Sequence, residues 1–257
     1  MTAEVTATVA PVQCPAARRS LTVLVPALNE AANLGPTAET LVRALGETTD
    51  EFEIIVVDDG STDGTAAVAD ALATAIPRVR VFHNARNRGI GYAYLLGCRE
   101  ARCSHFVYIP GDNTWPYASC RQLFAQLGRA DIVTSYATNP EVRPLGRRLL
   151  SPLYTACLNL IFGRRMRYYN GLNIYPVDFL RGAPVTTFGF GFQAEVLLKA
   201  LAAGLSYVEI GLPIDERAAG GSKAVRLRNI VSVVATMLRL AWRLRILRQA
   251  PPARPGT

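Results

Sequence analysis

The stretch Val57-Asp58-Asp59-Gly60-Ser61-Thr62-Asp63-Gly64-Thr65 packs carboxylates and hydroxyls into a turn that directly follows an apolar run beginning at Phe52. Acidic side chains at such a turn can accept hydrogen bonds from a base or a ribose, and the glycines permit close approach. The same residues also suit an ordinary polar turn in which Asp63 caps the next helix. A second cluster, Pro110-Gly111-Asp112-Asn113-Thr114-Trp115-Pro116, follows the apolar run His105 to Ile109. There Asp112 is a hard oxygen donor, fit either for a cation or for the start of a helix. With only His83 and His105 in the chain, a histidine-based metal site or triad has little material, and both read as structural.

The elements that would hold these clusters follow from the apolar pattern. Leu21 to Val25 is a short β-branched run closed by Pro26, followed by Asn29-Glu30 and a helical stretch to about Leu45. Phe52 to Val57 reads as a second strand, with a helix from about Gly64 to Ala75. Arg78 to Phe82 reads as a third, with a helix from Gly89 to Ala101, and His105 to Ile109 as a fourth. A helix after Trp115-Pro116 leads to a strand at Asp131 to Ser135. Leu145 to Phe162 reads as an apolar helix, Phe192 to Ala203 as another, Tyr207 to Ile210 as a strand and Leu227 to Leu247 as a last helix. Strand and helix alternate, which argues for an α/β domain with a mostly parallel sheet covered on both faces. Ligands of such sheets bind beyond the carboxyl ends of the strands, where both polar clusters fall.

Taken in order, the motifs resemble the family 2 glycosyltransferases of the GT-A fold, and within them the dolichyl- or polyprenyl-phosphate mannose synthase-like branch. Pro26-Ala27-Leu28-Asn29-Glu30 is similar to the family's Pro-x-x-Asn-Glu opening, and Val57 to Thr65 to its second motif. Asn87-Arg88-Gly89-Ile90-Gly91-x-Ala93 resembles its Gly-x-Gly-x-Ala helix start. Phe192-Gln193-Ala194-Glu195, Glu209-Ile210-x-x-Pro213-Ile214 and Arg217-x-x-x-Gly221-Ser222-Lys223 resemble the branch's closing signature. The likeness spans about residues 20 to 225. It implies a nucleotide-sugar donor held by Pro26, Leu28, Glu30, Val57, Asp58, Asp59, Gly111 and Asp112. It also implies a Mg²⁺ or Mn²⁺ ion at Asp112 and Thr114, and an acceptor phosphate held by Arg148, Ser151, Arg217, Ser222 and Lys223. Asp112, Arg217 and Lys223 are the expected catalytic residues.

The sequence departs from the branch at three places. Pro110 replaces the first aspartate of the usual Asp-x-Asp, so a single carboxylate remains; Mg²⁺ keeps several waters and can be held by one carboxylate plus substrate phosphates. Thr134-Ser135-Tyr136-Ala137 stands for the usual Gly-Ser-Arg-Tyr, without its arginine. Tyr168-Tyr169-Asn170-Gly171-Leu172 stands for Asp-x-x-x-Gly-Phe. The resemblance implies inverting transfer of a hexose from a GDP- or UDP-sugar to a polyprenyl phosphate, whose ionised oxygen needs no strong base. A hydroxyl acceptor would instead require Asp112 or Glu195 to take a proton. A nucleotide-sugar-binding module with weakened catalysis is the reading from another class.

Composition bounds the partners. A net charge of +8 on 257 residues, half of them hydrophobic, allows a sizeable core and attracts nucleic acid, anionic membranes or phosphorylated substrates. The motifs select phosphorylated substrates and no nucleic acid. Three sections are expected: a disordered tail over 1–19, unlike a signal peptide; the glycosyltransferase domain over 20–224; and a basic amphipathic helix with a Pro-rich tail over 225–257. Leu227, Ile230, Val231, Val234, Leu238 and Trp242 recur at helical spacing among arginines, so this helix suits either a bilayer interface or packing on the domain. The helix from Leu149 to Phe162 is a second candidate contact. Five cysteines without a CxxC pair fit a reducing compartment, and the expected location is cytoplasmic, peripheral at the membrane's cytoplasmic face.

Overall fold

Strand β2 (Ser20–Ala27) sends Leu21, Val23 and Val25 to one face of a sheet and Leu24 to the other. Strand β3 (Glu51–Asp58) repeats the pattern, with Ile54 and Val56 opposed to Ile55 and Val57. Side chains alternate with period two along a strand, so two apolar faces per strand require cover on both sides. In the computed structural model, which describes residues 5–7, 19–183, 185–187, 189 and 191–216, that cover is present. Helices α1 (Ala31–Thr48), α2 (Thr65–Ala75) and α4 (Tyr117–Phe124) contribute to the apolar layer on one face, with Leu34, Leu41, Ala69, Leu123 and Phe124 buried there. On the other, α3 (Ile90–Glu100), α6 (Val177–Gly182) and α7 (Phe192–Ala202) bury Tyr94, Phe179 and Phe192. Each such side chain contributes about 1.5–3 kcal/mol of transfer free energy.

The remaining strands are β1 (Val5–Ala7), β4 (Val79–His83), β5 (His105–Tyr108), β6 (Ile132–Ala137), β7 (Ile174–Pro176) and β8 (Tyr207–Leu212), and the sheet order is β1-β8-β6-β7-β5-β2-β3-β4. Pairs β2/β3, β2/β5, β3/β4 and β6/β8 are parallel. Strand β7 runs antiparallel between β5 and β6, and β1 antiparallel to β8. A three-residue 3₁₀ turn, Pro140–Val142, precedes the long helix α5 (Leu145–Phe162).

Two expectations change. Within the segment read as a disordered tail, Val5–Ala7 form an edge strand on β8, with Val5 opposite Ile210; a short Val-Thr run can satisfy the exposed donors of an edge. Strand β7 and helix α6 escape the sequence pattern because β7 is three residues long and ends in Pro176, which caps α6. The expected helix Leu227 to Leu247 lies outside the described residues.

Candidate functional site

Three loops meet at the carboxyl ends of β2, β3 and β5. Asp59 N–H donates to Ala27 O at 2.9 Å and Gly111 N–H to Pro26 O at 3.2 Å, so the β2 end lies between the other two. The β2 loop turns through Asn29 at φ 57° and the β5 loop through Asn113 at φ 54°, left-handed conformations that asparagine tolerates better than most side chains. Asn29 ties the first two loops together: its N–H donates to Ser61 Oγ at 3.0 Å, and its Oδ1 accepts from Thr62 N–H at 2.8 Å. Gly60, at φ 74°, is packed so tightly that a Cβ would lie 2.6 Å from the backbone carbon of Arg86. No larger residue fits that turn without moving the β4 loop.

The acidic pair is engaged within this framework. Asp59 is buried and accepts from Asn84 Nδ2 (2.8 Å), Arg88 N–H (2.9 Å) and Gly89 N–H (2.8 Å), which fixes the start of α3. Asp58 accepts from Ser61 N–H at 3.0 Å and meets His83 Nδ1 at 3.1 Å. Burial pushes the Asp58 carboxyl up, but hydrogen bonds from Ser61 and His83 outweigh it and leave the pKa below the usual range. His83 is thus a supporting residue that the sequence reading missed.

The expected donor residues divide. Pro26, Leu28, Asp58, Asp59, Gly111 and Asp112 come together on these loops. Val57 does not present its side chain there, because it is fully buried in the core. Glu30 caps the start of α1: its carbonyl accepts from Asn33 and Leu34 N–H, and its carboxylate accepts from Asn33 Nδ2 at 2.7 Å. Asp112 Oδ1 accepts from Thr114 Oγ1 at 2.8 Å, so the two expected metal-side residues are neighbours. Among the described residues no group of three His, Cys, Asp or Glu side chains is arranged to hold a metal. A cation here would therefore need donor phosphates to complete its shell, a requirement that hard-oxygen Asp112 and Thr114 fit.

A basic cluster stands beside this carboxylate. Tyr108, buried at the end of β5, has its phenol pushed far up by burial, reinforced by the charges of Asp112 and Glu30 and opposed by Arg147. Tyr108 therefore lies within electrostatic range of both Asp112 and Arg147. On the same helix, Arg147 and Ser151 hydrogen-bond the Tyr168 phenol, and the Arg143 guanidinium lies 5.3 Å from its ring centroid. Burial drives the Tyr168 pKa up, yet Arg143 and Arg147 together hold it below the usual phenol value. Neither arginine pairs with a carboxylate among the described residues, and both are half-buried. Of the expected acceptor pair, Ser151 faces this cluster while Arg148 is exposed. Arg147, one full i→i+4 step before Ser151, occupies the inward position instead. Arg217, Ser222 and Lys223 lie outside the described residues.

The two departures Tyr136 and Arg167 touch each other. The Arg167 guanidinium lies 4.8 Å from the Tyr136 ring centroid and donates a hydrogen bond to its hydroxyl. Glu195, the other candidate base, is fully buried and accepts from Thr186 N–H at 2.9 Å and Lys199 Nζ at 2.6 Å. It anchors the segment before α7 and is sequestered from a solvent-borne hydroxyl.

The fold and the loop arrangement are those of a GT-A nucleotide-sugar transferase. Residues 22–182 match the family described as glycosyl transferase family 2, and the chain belongs to that family. Its likeness lies with the polyprenyl-phosphate mannose synthase branch. It is 30% identical to polyprenol monophosphomannose synthase of Mycolicibacterium smegmatis over 78% of this chain and 79% of that protein. It is 28% identical to glycosyltransferase AglD of Haloferax volcanii over 92% of this chain, which spans 39% of that longer protein. Among solved structures, glucosyl-3-phosphoglycerate synthase from Mycobacterium tuberculosis, in complex with Mn²⁺, UDP-glucose and phosphoglyceric acid, superposes with a TM-score of 0.65 at 22% identity. That match covers 88% of this chain and 80% of that one.

Proposed function

We propose that the protein transfers a hexose, with inversion, from a nucleotide-sugar to a polyprenyl-phosphate-type lipid. One observation carries the reading: the uncompensated Arg143–Arg147–Ser151–Tyr168 cluster shares the electrostatic environment of Tyr108 with Asp112. A carboxylate suited to an activated diphosphate and a cationic pocket suited to a second phosphate thus stand side by side. The names of the curated relatives agree on a lipid-phosphate acceptor.

In this mechanism the loops after β2, β3 and β5 hold the nucleotide, with Asp58 kept ionised by Ser61 and His83. Asp112 and Thr114 would hold the Mg²⁺ or Mn²⁺ ion, which when bound neutralises charge on the leaving diphosphate. Arg147 and Ser151 orient the acceptor phosphate, whose oxygen attacks the anomeric carbon. The bond from that carbon to the diphosphate oxygen breaks, and the diphosphate leaves with the electron pair. The acceptor phosphate is already ionised at neutral pH, so no general base is required, in keeping with the sequestered Glu195. Arg217, Ser222 and Lys223 are proposed to close over both phosphates. We place the chain at the cytoplasmic face of a membrane; no helix among the described residues is long and apolar enough to cross one.

The test is transfer of radiolabel from GDP- and UDP-hexoses to polyprenyl phosphate, with Mg²⁺ or Mn²⁺, read as counts extracted into organic solvent. Labelled lipid supports the reading. Label appearing only in a water-soluble hydroxyl product, or tight donor binding without turnover, would overturn it.

A further inference from the structure

Helix α5 carries large apolar side chains that the domain leaves uncovered. Leu145 is 71% exposed, Leu149 75%, Leu153 61% and Leu160 84%. With Pro152 and Ala156, also exposed, they fall within an arc of about 100° on the helix and run about 22 Å along it. Thr155 and Leu158, on the opposite side, are buried against the domain. No acidic residue occurs from Leu145 to Arg167, while Arg148, Arg164 and Arg165 are exposed at the two ends of the stripe. A soluble surface rarely tolerates so continuous an apolar run without a partner.

The charge pattern selects the partner. A second copy packed on this face antiparallel would bring Arg148 against Arg164 and Arg165, so like charges would oppose one another. Residues 217–257 contain no acidic residue either, and would pile further arginines onto the same face. An anionic phospholipid surface offers acyl chains to the leucines and phosphates to the arginines together.

We infer that the outer face of α5 is a membrane-docking surface for anionic phospholipid, with Leu149, Leu153 and Leu160 seated at the acyl boundary. Resting on the lipid-phosphate reading, the orientation follows: Arg147 and Ser151 lie on the inward side of the same helix, so docking brings the cleft to the level of lipid headgroups. A membrane-anchored acceptor then reaches the pocket without leaving the bilayer.

The experiment uses the full chain and vesicles of phosphatidylcholine, alone or with about one-third phosphatidylglycerol. Flotation compares it with Leu149→Glu/Leu153→Glu/Leu160→Glu and with the corresponding triple glutamine variant, circular dichroism confirming that each is folded. Binding to anionic vesicles should weaken about tenfold or more in both variants. Transfer to vesicle-borne polyprenyl phosphate should fall in parallel, while transfer to a short water-soluble prenyl phosphate is retained. Equal flotation of wild type and variants overturns the inference. So does a wild-type dimer in solution that both variants abolish without any vesicle binding. If the variants lose flotation but the wild type glycosylates neither prenyl phosphate, docking stands and the acceptor reading falls.

Discussion

His83 Nδ1 stands 3.1 Å from Asp58 Oδ2, tying the end of β4 to the acidic loop after β3. Its Nε2 meets Asp70 Oδ1 on α2, also at 3.1 Å, so only the protonated ring can donate to both carboxylates. Hydrogen bonds to Asp58, then to Asp70, raise the His83 pKa above its ordinary value. This contribution is full below the unfolded value of about 6.5 and fades as pH rises through the folded value. Asp58, with its pKa lowered, contributes above about 3.9 and loses that contribution as pH falls through its folded value. The thermal-midpoint difference between wild type and His83→Gln should therefore be largest at mildly acidic pH and shrink above neutrality. Donor KM should rise roughly threefold to tenfold in the variant, as expected for one partly screened charged hydrogen bond. A stability difference that grows with pH would contradict the bridge.

Asp59 acts on structure before it can act on a ligand. Replacing it by alanine strands Arg88 and Gly89 N–H at the start of α3 and removes the Asn84 contact. A loss of about 2–4 kcal/mol in urea unfolding is expected, with donor binding lost alongside. A stability change near zero would contradict this account of the loop.

Gly171 is fixed by contact with the neighbouring strand. A Cβ there would lie 1.8 Å from Ser135 O, and Ser135 Oγ also accepts from Leu172 N–H at 2.8 Å. Gly171→Ala should destabilise by about 3 kcal/mol or more, or prevent soluble expression. Thermal melts decide it, and a midpoint within a degree of wild type would contradict the packing.

The strand-helix alternation was legible because strands such as β2 and β3 are long, β-branched and buried on both faces. Strand β7 was not, since three residues carry no periodicity and its neighbours across the sheet are distant in sequence. The donor loops were legible because Asp58, Asp59 and Asp112 follow apolar runs directly. The roles within them were less so: Val57 reads as part of a motif but lies in the core, and Glu30 packs into its own helix. Arg147 and Arg148 are adjacent, and sequence spacing alone cannot say which faces Ser151. Burial of one side of α5 decides between them. His83 carries no local motif, and its two partners lie 25 and 13 residues away.

That distinction between the adjacent arginines can be measured. With a short prenyl phosphate in solution, Arg147→Ala should raise the acceptor KM about tenfold to a hundredfold, and Arg148→Ala by less than about threefold. The reverse order would return the phosphate contact to the exposed residue.

The most direct test concerns Asp112, the single carboxylate left to grip an activated sugar's diphosphate. Calorimetric titration of UDP and GDP, with and without Mn²⁺, should show metal-dependent binding of at least one nucleotide by the wild type and none by Asp112→Ala. Metal-dependent binding that survives unchanged in Asp112→Ala would contradict the account at its centre.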